Sequence, residues 1–145
     1  MNVIVKQFKK PSPEYLQALA LRTEVLRKPL GLEFTPAELK KDETDTHFGL
    51  FAADKIIACL TLTVADKQRV KMRQVAVDNS VQGKGYGKML SAAAEEFALT
   101  NGFEFMFCHA RKTAVGFYES MGYKITGDEF TEVNIPHFTM QKQLK

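Results

Sequence analysis

One change of period constrains this chain more than any other feature. From residue 47 to 78 apolar and polar residues alternate in short runs, the two-residue repeat of strands. Asp78-Asn79-Ser80-Val81-Gln82-Gly83-Lys84-Gly85-Tyr86-Gly87-Lys88 then interrupts the repeat with three glycines. From 87 to 100 Leu90, Ala93, Ala94, Phe97 and Ala98 recur at helical spacing. A strand therefore runs through a glycine-rich loop directly into a helix. Glycine lets the backbone approach a ligand closely and take positive φ. The free N–H groups of a helix start, with the dipole behind them, form an anion site. Lys84 and Lys88 add charge. The chemistry suggested is pyrophosphate binding; the plainer reading is a turn that carries no ligand.

The other segments set the fold class. Residues 2–8 read as a strand. Ser12 as N-cap and Pro13 at the first helical position start a helix whose apolar side is Leu16, Leu19, Ala20 and Leu26, and Pro29 ends it. Thr35-Pro36-Ala37-Glu38 is a capping box that opens a short second helix. Runs at 47–53, 56–65 and 68–78, separated by Asp54-Lys55 and Asp66-Lys67, suit antiparallel hairpins. After the 87–100 helix, Asn101-Gly102 is a stop, and Phe103, Phe105 and Phe107 mark a strand. A helix over 113–121, with Ala114, Phe117, Tyr118 and Met121 inward, is stopped by Gly122. Strands near 123–128 and 137–144 complete the order β-α-α-β-β-β-α-β-α-β-β. This predicts an α/β (α+β) mixed sheet with helices on its faces: antiparallel in the first half, with a right-handed strand–helix–strand crossover in the second. No linker or repeat divides the chain, so residues 1–145 are expected to form a single domain.

Composition narrows the function classes. With 45% hydrophobic and 26% charged residues, the chain is not a disordered one. The net charge of +3 is too mild to indicate a nucleic-acid binder, but its distribution is informative. Residues 65–90 carry a net +4 and the rest −1, so the excess lies in the strand and loop of the anion site. The row Lys67, Arg69, Lys71, Arg73 lacks interleaved aromatics that would stack bases, so no nucleic-acid partner is expected. No run approaches the ~20 apolar residues of a membrane span, and the N-terminal apolar stretch is too short for a signal peptide. Cys59 and Cys108 sit in apolar runs, with no CxxC and no Cys/His spacing for zinc. We expect a cytoplasmic protein without a metal and with buried thiols.

Known phosphate motifs fail in the loop. Lys84 is followed by Gly85 where a P-loop needs Ser or Thr, and the third dinucleotide glycine is Lys88. The spacing Gln82-x-x-Gly85-x-Gly87 instead resembles the coenzyme A signature of the GNAT superfamily of N-acetyltransferases. Ala114-x-x-x-Tyr118-x-x-x-Gly122-Tyr123 is similar to that family's later motif. The resemblance implies a GNAT-like fold: a central, mostly antiparallel sheet with a splayed parallel pair, and helices on both faces. It implies acetyl-CoA as cosubstrate, its pyrophosphate on Gln82, Gly83, Lys84, Gly85, Tyr86, Gly87 and Lys88. The strand end Val75-Ala76-Val77 would meet the pantetheine arm and polarise the acyl carbonyl. A bulge in this strand is also implied. It fits the apolar phase, which is even at Val70 and Met72 and odd at Val75 and Val77, so one extra residue near Arg73-Gln74 is needed unless the strand end is buried on both sides. Taken alone, Tyr118 reads as an inward aromatic whose hydroxyl finds a buried partner; with the glycine loop 31 residues upstream, the resemblance makes it the acid that protonates the leaving thiolate. Arg111 stands where the motif has Asn, and would meet a phosphate or an acidic substrate group.

The acceptor is expected to be an amine on a small molecule or peptide, and the family points to a homodimer. Family members often place a Glu base on the strand before the loop; here that strand offers Lys71, Arg73 and Gln74. Other candidates are Glu24, which also reads as a solvated residue beside Arg27, and His47, Glu132 and His137. Phe130-Thr131-Glu132-Val133-Asn134-Ile135-Pro136-His137-Phe138-Thr139-Met140 resembles the Ile-Pro-His-x-x-Met ending of one bacterial GNAT subgroup. His137 is then a substrate contact or proton acceptor, or a brace for its loop. An acetyl-Cys108 intermediate is the lesser reading against a small buried hydrophobe. Leu30, Leu32 and Phe34 suggest an apolar part of the acceptor pocket. Two functions fit: an acyl-CoA-dependent N-acyltransferase, or a regulatory protein that binds acyl-CoA without turnover.

Overall fold

A computed structural model describes residues 2–145. Its elements are β1 (Ile4–Phe8), α1 (Pro13–Arg22), α2 (Pro36–Lys41), β2 (Thr46–Ala52), β3 (Lys55–Val64), β4 (Arg69–Val77), α3 (Tyr86–Thr100), β5 (Phe105–Arg111), α4 (Val115–Glu119), β6 (Lys124–Ile125), β7 (Phe130–Glu132) and β8 (Ile135–Gln143). The eight strands make a mixed, mostly antiparallel sheet with one parallel pair, β4 and β5. The expected element order stands, with one strand added, β7. The chain packs as two compact units, one of residues up to 63 with 74–94, the other of 64–73 with 95–145.

In the first unit β1, β2 and β3 pair antiparallel in sequence order. The Asp78 N–H donates to the Ile57 carbonyl at 2.9 Å, tying the end of β4 to β3. The core gathers Phe8, Tyr15, Ala18, Leu21, Phe51, Ile56, Cys59 and Ala76. Gly49 is needed there, because a Cβ on it would lie 2.7 Å from the Phe51 ring and 3.1 Å from Phe8. Helix α1 starts as expected, with the Ser12 hydroxyl accepting from the Tyr15 N–H. Its buried side overlaps the expected one only in part: Tyr15, Ala18, Leu21 and Arg22 turn inward and Leu19 packs against the core, but Leu16 is 67% exposed. Pro29 does not end α1. A π-turn over Thr23–Arg27 and a 3-10 turn over Lys28–Leu30 follow it, closed by Gly31 at φ 69°.

The reason for the rotated face is a buried ion pair. Arg22 Nη2 lies 2.9 Å from Asp42 Oδ2, and both side chains are almost fully enclosed. The Tyr15 hydroxyl donates to the same carboxylate at 2.5 Å. Phe34 lies between two guanidiniums, with Arg22 4.6 Å and Arg27 4.3 Å from its ring centroid. Phe34, one of the residues suggested for the acceptor pocket, thus packs on cations. Arg27 also bonds Glu38 at 2.9 Å, and Glu38 completes the α2 capping box with Thr35.

That arrangement has a pH signature. Partial burial raises the Glu38 carboxyl, but the Thr35 N–H and the Arg27 guanidinium outweigh it and hold the group below its ordinary value. A carboxyl depressed in the folded state adds stability above its unfolded pKa of ~4.3, and that stability is lost as pH falls through the folded value. Glu38→Gln is therefore expected to flatten the acid fall of Tm below pH ~4.3. An unchanged acid limb in a thermal melt series would contradict it.

In the second unit β4 runs parallel to β5, with Arg69, Val70 and Lys71 opposite Phe105, Met106 and Phe107. β5 pairs antiparallel with β8, and β8 with β6 and β7. The β7–β8 hairpin turns at Val133-Asn134, both at positive φ (46° and 62°). Tyr123 donates to Glu95 at 2.9 Å and Lys142 bonds the same carboxylate at 2.7 Å, which fixes the last turns of α3 over the sheet.

Candidate active site

The glycine-rich loop belongs to the first unit. Asp78 ends β4, and its carboxylate accepts from the Ser80 N–H (2.9 Å) and hydroxyl (2.6 Å), capping a 3-10 turn over Asn79–Val81. Gln82 folds back, its Nε2 donating to the Val77 carbonyl and the Asn79 side chain. Gly83 and Gly85 then take φ of 79° and 84°, which explains two of the three glycines by conformation. A Cβ on either would meet nothing within 4 Å, so the space over the loop is open. Helix α3 begins at Tyr86, one residue earlier than expected, and its first bond runs from Met89 N–H to Gly85 carbonyl. The N–H groups of Tyr86, Gly87 and Lys88 thus precede the helical ladder. Lys84 and Lys88 are exposed beside them.

Behind the loop, Gln74 interrupts β4 with φ of 55°. This left-handed residue lies where the phase of Val70, Met72, Val75 and Val77 required an extra one. Beyond it Ala76 is buried in the core with Phe8 and Cys59, while Val75 and Val77 are half-buried on the other side.

The second unit holds the remaining expected residues. Tyr118, on α4, is buried and packs edge-on against Phe117 and Tyr123. Burial raises its hydroxyl pKa above the ordinary value; Cys108 adds to the rise and Arg111 opposes it. Cys108 is itself buried, which pushes its thiol up to about 12. Such a thiol is not a nucleophile at neutral pH, which agrees with the hydrophobe reading. Arg111 ends β5, half-buried, at the start of the 3-10 turn over Lys112–Ala114, without a side-chain cap bond. Opposite it in register lies His137, whose side chain is 4% exposed. Its Nδ1 donates to the Ile135 carbonyl at 2.8 Å, and its Nε2 faces Glu132 Oε2 at 3.7 Å.

A model of the acetyltransferase (GNAT) domain matches residues 21–144. The chain belongs to the GNAT acetyltransferase family. Among curated relatives, the N-acetyltransferase YjcF of Bacillus subtilis is 28% identical, covering 86% of this chain and 89% of its own length. YyaT of the same organism is 31% identical over 51% of this chain; the chain spans about half the length of that relative. Of solved structures, one described as an N-acetyltransferase from Lactobacillus plantarum is 28% identical, with a TM-score of 0.89 and full coverage of both chains. A GNAT family acetyltransferase from Elizabethkingia anophelis with acetyl-CoA bound has the same fold, at TM-score 0.76 and 15% identity, covering 98% of both chains.

Two base candidates of this GNAT protein have structural partners. His47 is buried; its Nε2 donates to the Asp42 carbonyl and its Nδ1 accepts from the Thr61 hydroxyl, each at 2.9 Å. Burial lowers its pKa, so it stays neutral. Glu24 is exposed and pairs with Lys28, one turn on, where Arg27 was the expected neighbour. Glu132, by contrast, stands in a cluster. Its Oε1 is 3.1 Å from His109 Nδ1, which is also 3.2 Å from Lys71 Nζ. The sequence reading missed His109. The signal was its place in β5, two residues before Arg111 and in phase with it.

Proposed function

We propose that this GNAT protein transfers an acyl group, acetyl foremost, from acyl-CoA to a primary amine by direct attack. The observation that carries the reading is the anion loop: a strand broken at Gln74, two left-handed glycines under open space, and the unpaired start of α3 flanked by Lys84 and Lys88. Gln82, Gly83, Lys84, Gly85, Tyr86, Gly87 and Lys88 would receive the pyrophosphate, and backbone of Val75, Ala76 and Val77 the pantetheine. An N–H directed at the thioester oxygen would stabilise the tetrahedral oxyanion. Tyr118 would protonate the departing thiolate, with Arg111 and His137 serving the cosubstrate and the acceptor. The bound acetyl-CoA of the Elizabethkingia structure, and the coenzyme A of an aminoglycoside 6'-N-acetyltransferase with the same fold, support this choice of cosubstrate. The Ile135-Pro136-His137 ending would place the chain in a bacterial GNAT subgroup.

The loop assignment is tested by calorimetry with acetyl-CoA. Lys84→Gln/Lys88→Gln is expected to weaken binding about tenfold or more, with a shallower salt dependence than the wild type, because two exposed charges facing a pyrophosphate are removed. Unchanged affinity and salt slope would place the phosphates elsewhere.

One feature favours a second reading, acyl-CoA binding without turnover: β4 carries no carboxylate on the run from Arg69 to Val77. It predicts tight acetyl-CoA binding and no acylated amine.

A further inference from the structure

The register of the second unit places several polar groups on one sheet face. Lys71 lies opposite Phe107, His109 opposite Thr139, Arg111 opposite His137, and His137 opposite Phe130. Period two puts Phe107, His109 and Arg111 together, and turns Cys108 to the reverse side. Glu132 reaches this face from β7 and spans two imidazoles, with Oε1 at His109 and Oε2 toward His137. The Phe130 ring stacks on His137 at 5.8 Å and meets His109 edge-on at 5.0 Å.

The two imidazoles differ in what they can do. His137 is enclosed, with Nδ1 spent on the Ile135 carbonyl and Nε2 turned to Glu132. His109 is 27% exposed, and both of its close polar neighbours sit at Nδ1. One ring nitrogen either accepts from the Lys71 ammonium or donates to the Glu132 carboxylate. Partial burial raises the Glu132 carboxyl, but the hydrogen bond from His109 and the nearby Lys71 ammonium hold it below its ordinary range. Glu132 is thus an anion at neutral pH and favours a proton on Nδ1. That tautomer leaves the Nε2 lone pair as the free basic atom of the ring.

On the acyltransferase reading, we propose that His109 Nε2 takes the proton from the acceptor's ammonium, with Glu132 as the positioning residue that fixes the tautomer. The ammonium nitrogen gives one proton to Nε2 and becomes the nucleophile. Its lone pair forms the C–N bond as the C–S bond breaks. The second proton lost from nitrogen replaces the one Tyr118 gives to the thiolate. The His109 imidazolium then releases its proton to water. Lys71 and Arg73 from β4, Arg111 on β5, Glu132 from β7 and His137 from β8 are the charged and titratable groups that strand register brings to this side of the sheet. The class of acceptor this serves is an amine that arrives protonated, such as an alkylamine.

Two measurements on the full chain test it. The first is the imidazole nitrogen spectrum of 15N-histidine protein, which needs no turnover. Neutral His109 is expected as the Nδ1–H tautomer, and Glu132→Gln is expected to lose that preference. An Nε2–H tautomer in the wild type, with Lys71 as donor, overturns the proposal. The second compares His109→Gln with wild type on an alkylamine and on an arylamine that is already neutral. The alkylamine rate is expected to fall roughly 10²–10³-fold and the arylamine rate less than about fivefold. Equal losses on both, or no loss on the alkylamine, overturn the proton role and leave the acyltransferase reading standing. Transfer to neither amine by the wild type overturns both.

Discussion

Tyr118→Phe is expected to lower kcat for acetyl transfer roughly 10²–10³-fold, the range of a positioned general acid. Acetyl-CoA affinity should stay within about twofold, because the hydroxyl would act on sulfur only as the C–S bond breaks. Burial raises this phenol's pKa, so it holds its proton throughout the working range. In water, giving that proton to a thiolate of pKa ~8.5 would be uphill. The neighbourhood changes the comparison. Cys108, the thiol coupled to Tyr118, is pushed up to about 12 by the same exclusion of water. A leaving thiolate kept from water in like manner is a stronger base than in solution, which makes taking the phenolic proton easier. A full rate in Tyr118→Phe, measured by thiol release, would remove the acid role.

The largest stability effect is expected at the Arg22–Asp42 pair. Asp42→Asn should cost about 3–5 kcal/mol, because it leaves the Arg22 guanidinium enclosed without its counter-charge. At roughly 2–4 °C per kcal/mol for a chain of this size, Tm should fall by roughly 6–20 °C. The Tyr15 hydroxyl loses its anionic acceptor at the same time. Adding Arg22→Met should recover much of the loss, since a buried pair replaced by apolar groups is often neutral. A melt of Asp42→Asn within about 2 °C of wild type would show that the pair is not stabilising in this sense.

The pair also shows what the sequence could not display. Hydrophobic periodicity assigned the inner face of this helix to Leu16, Leu19, Ala20 and Leu26. Leu19 and Leu26 do pack against the core, but Leu16 and Ala20 are exposed. The buried Arg22 escaped that pattern, because a buried arginine has the same letter as an exposed one. Only the partner, Asp42, 20 residues on, turns the helix. The glycine loop was legible because positive φ has a local signature, and the break at Gln74 because one extra residue inverts the apolar phase. The α3 start, the stops at Gly102 and Gly122, and the parallel crossover were local in the same way. Strand β7 was not: three residues with a Val133-Asn134 turn carry no glycine to mark a hairpin. His109 was missed for a related reason. Its meaning comes from Lys71 and Glu132, 38 and 23 residues away, brought beside it by strand register.

The most direct test of the central claim is a product measurement. Wild-type protein incubated with acetyl-CoA and a panel of alkylamines, arylamines and peptide amines is followed by mass spectrometry and thiol release together. Acetylated amine and free coenzyme A in equal amounts are predicted for at least one alkylamine. Acetyl-CoA that binds but is returned intact with every amine would contradict the account and leave a binding protein in its place.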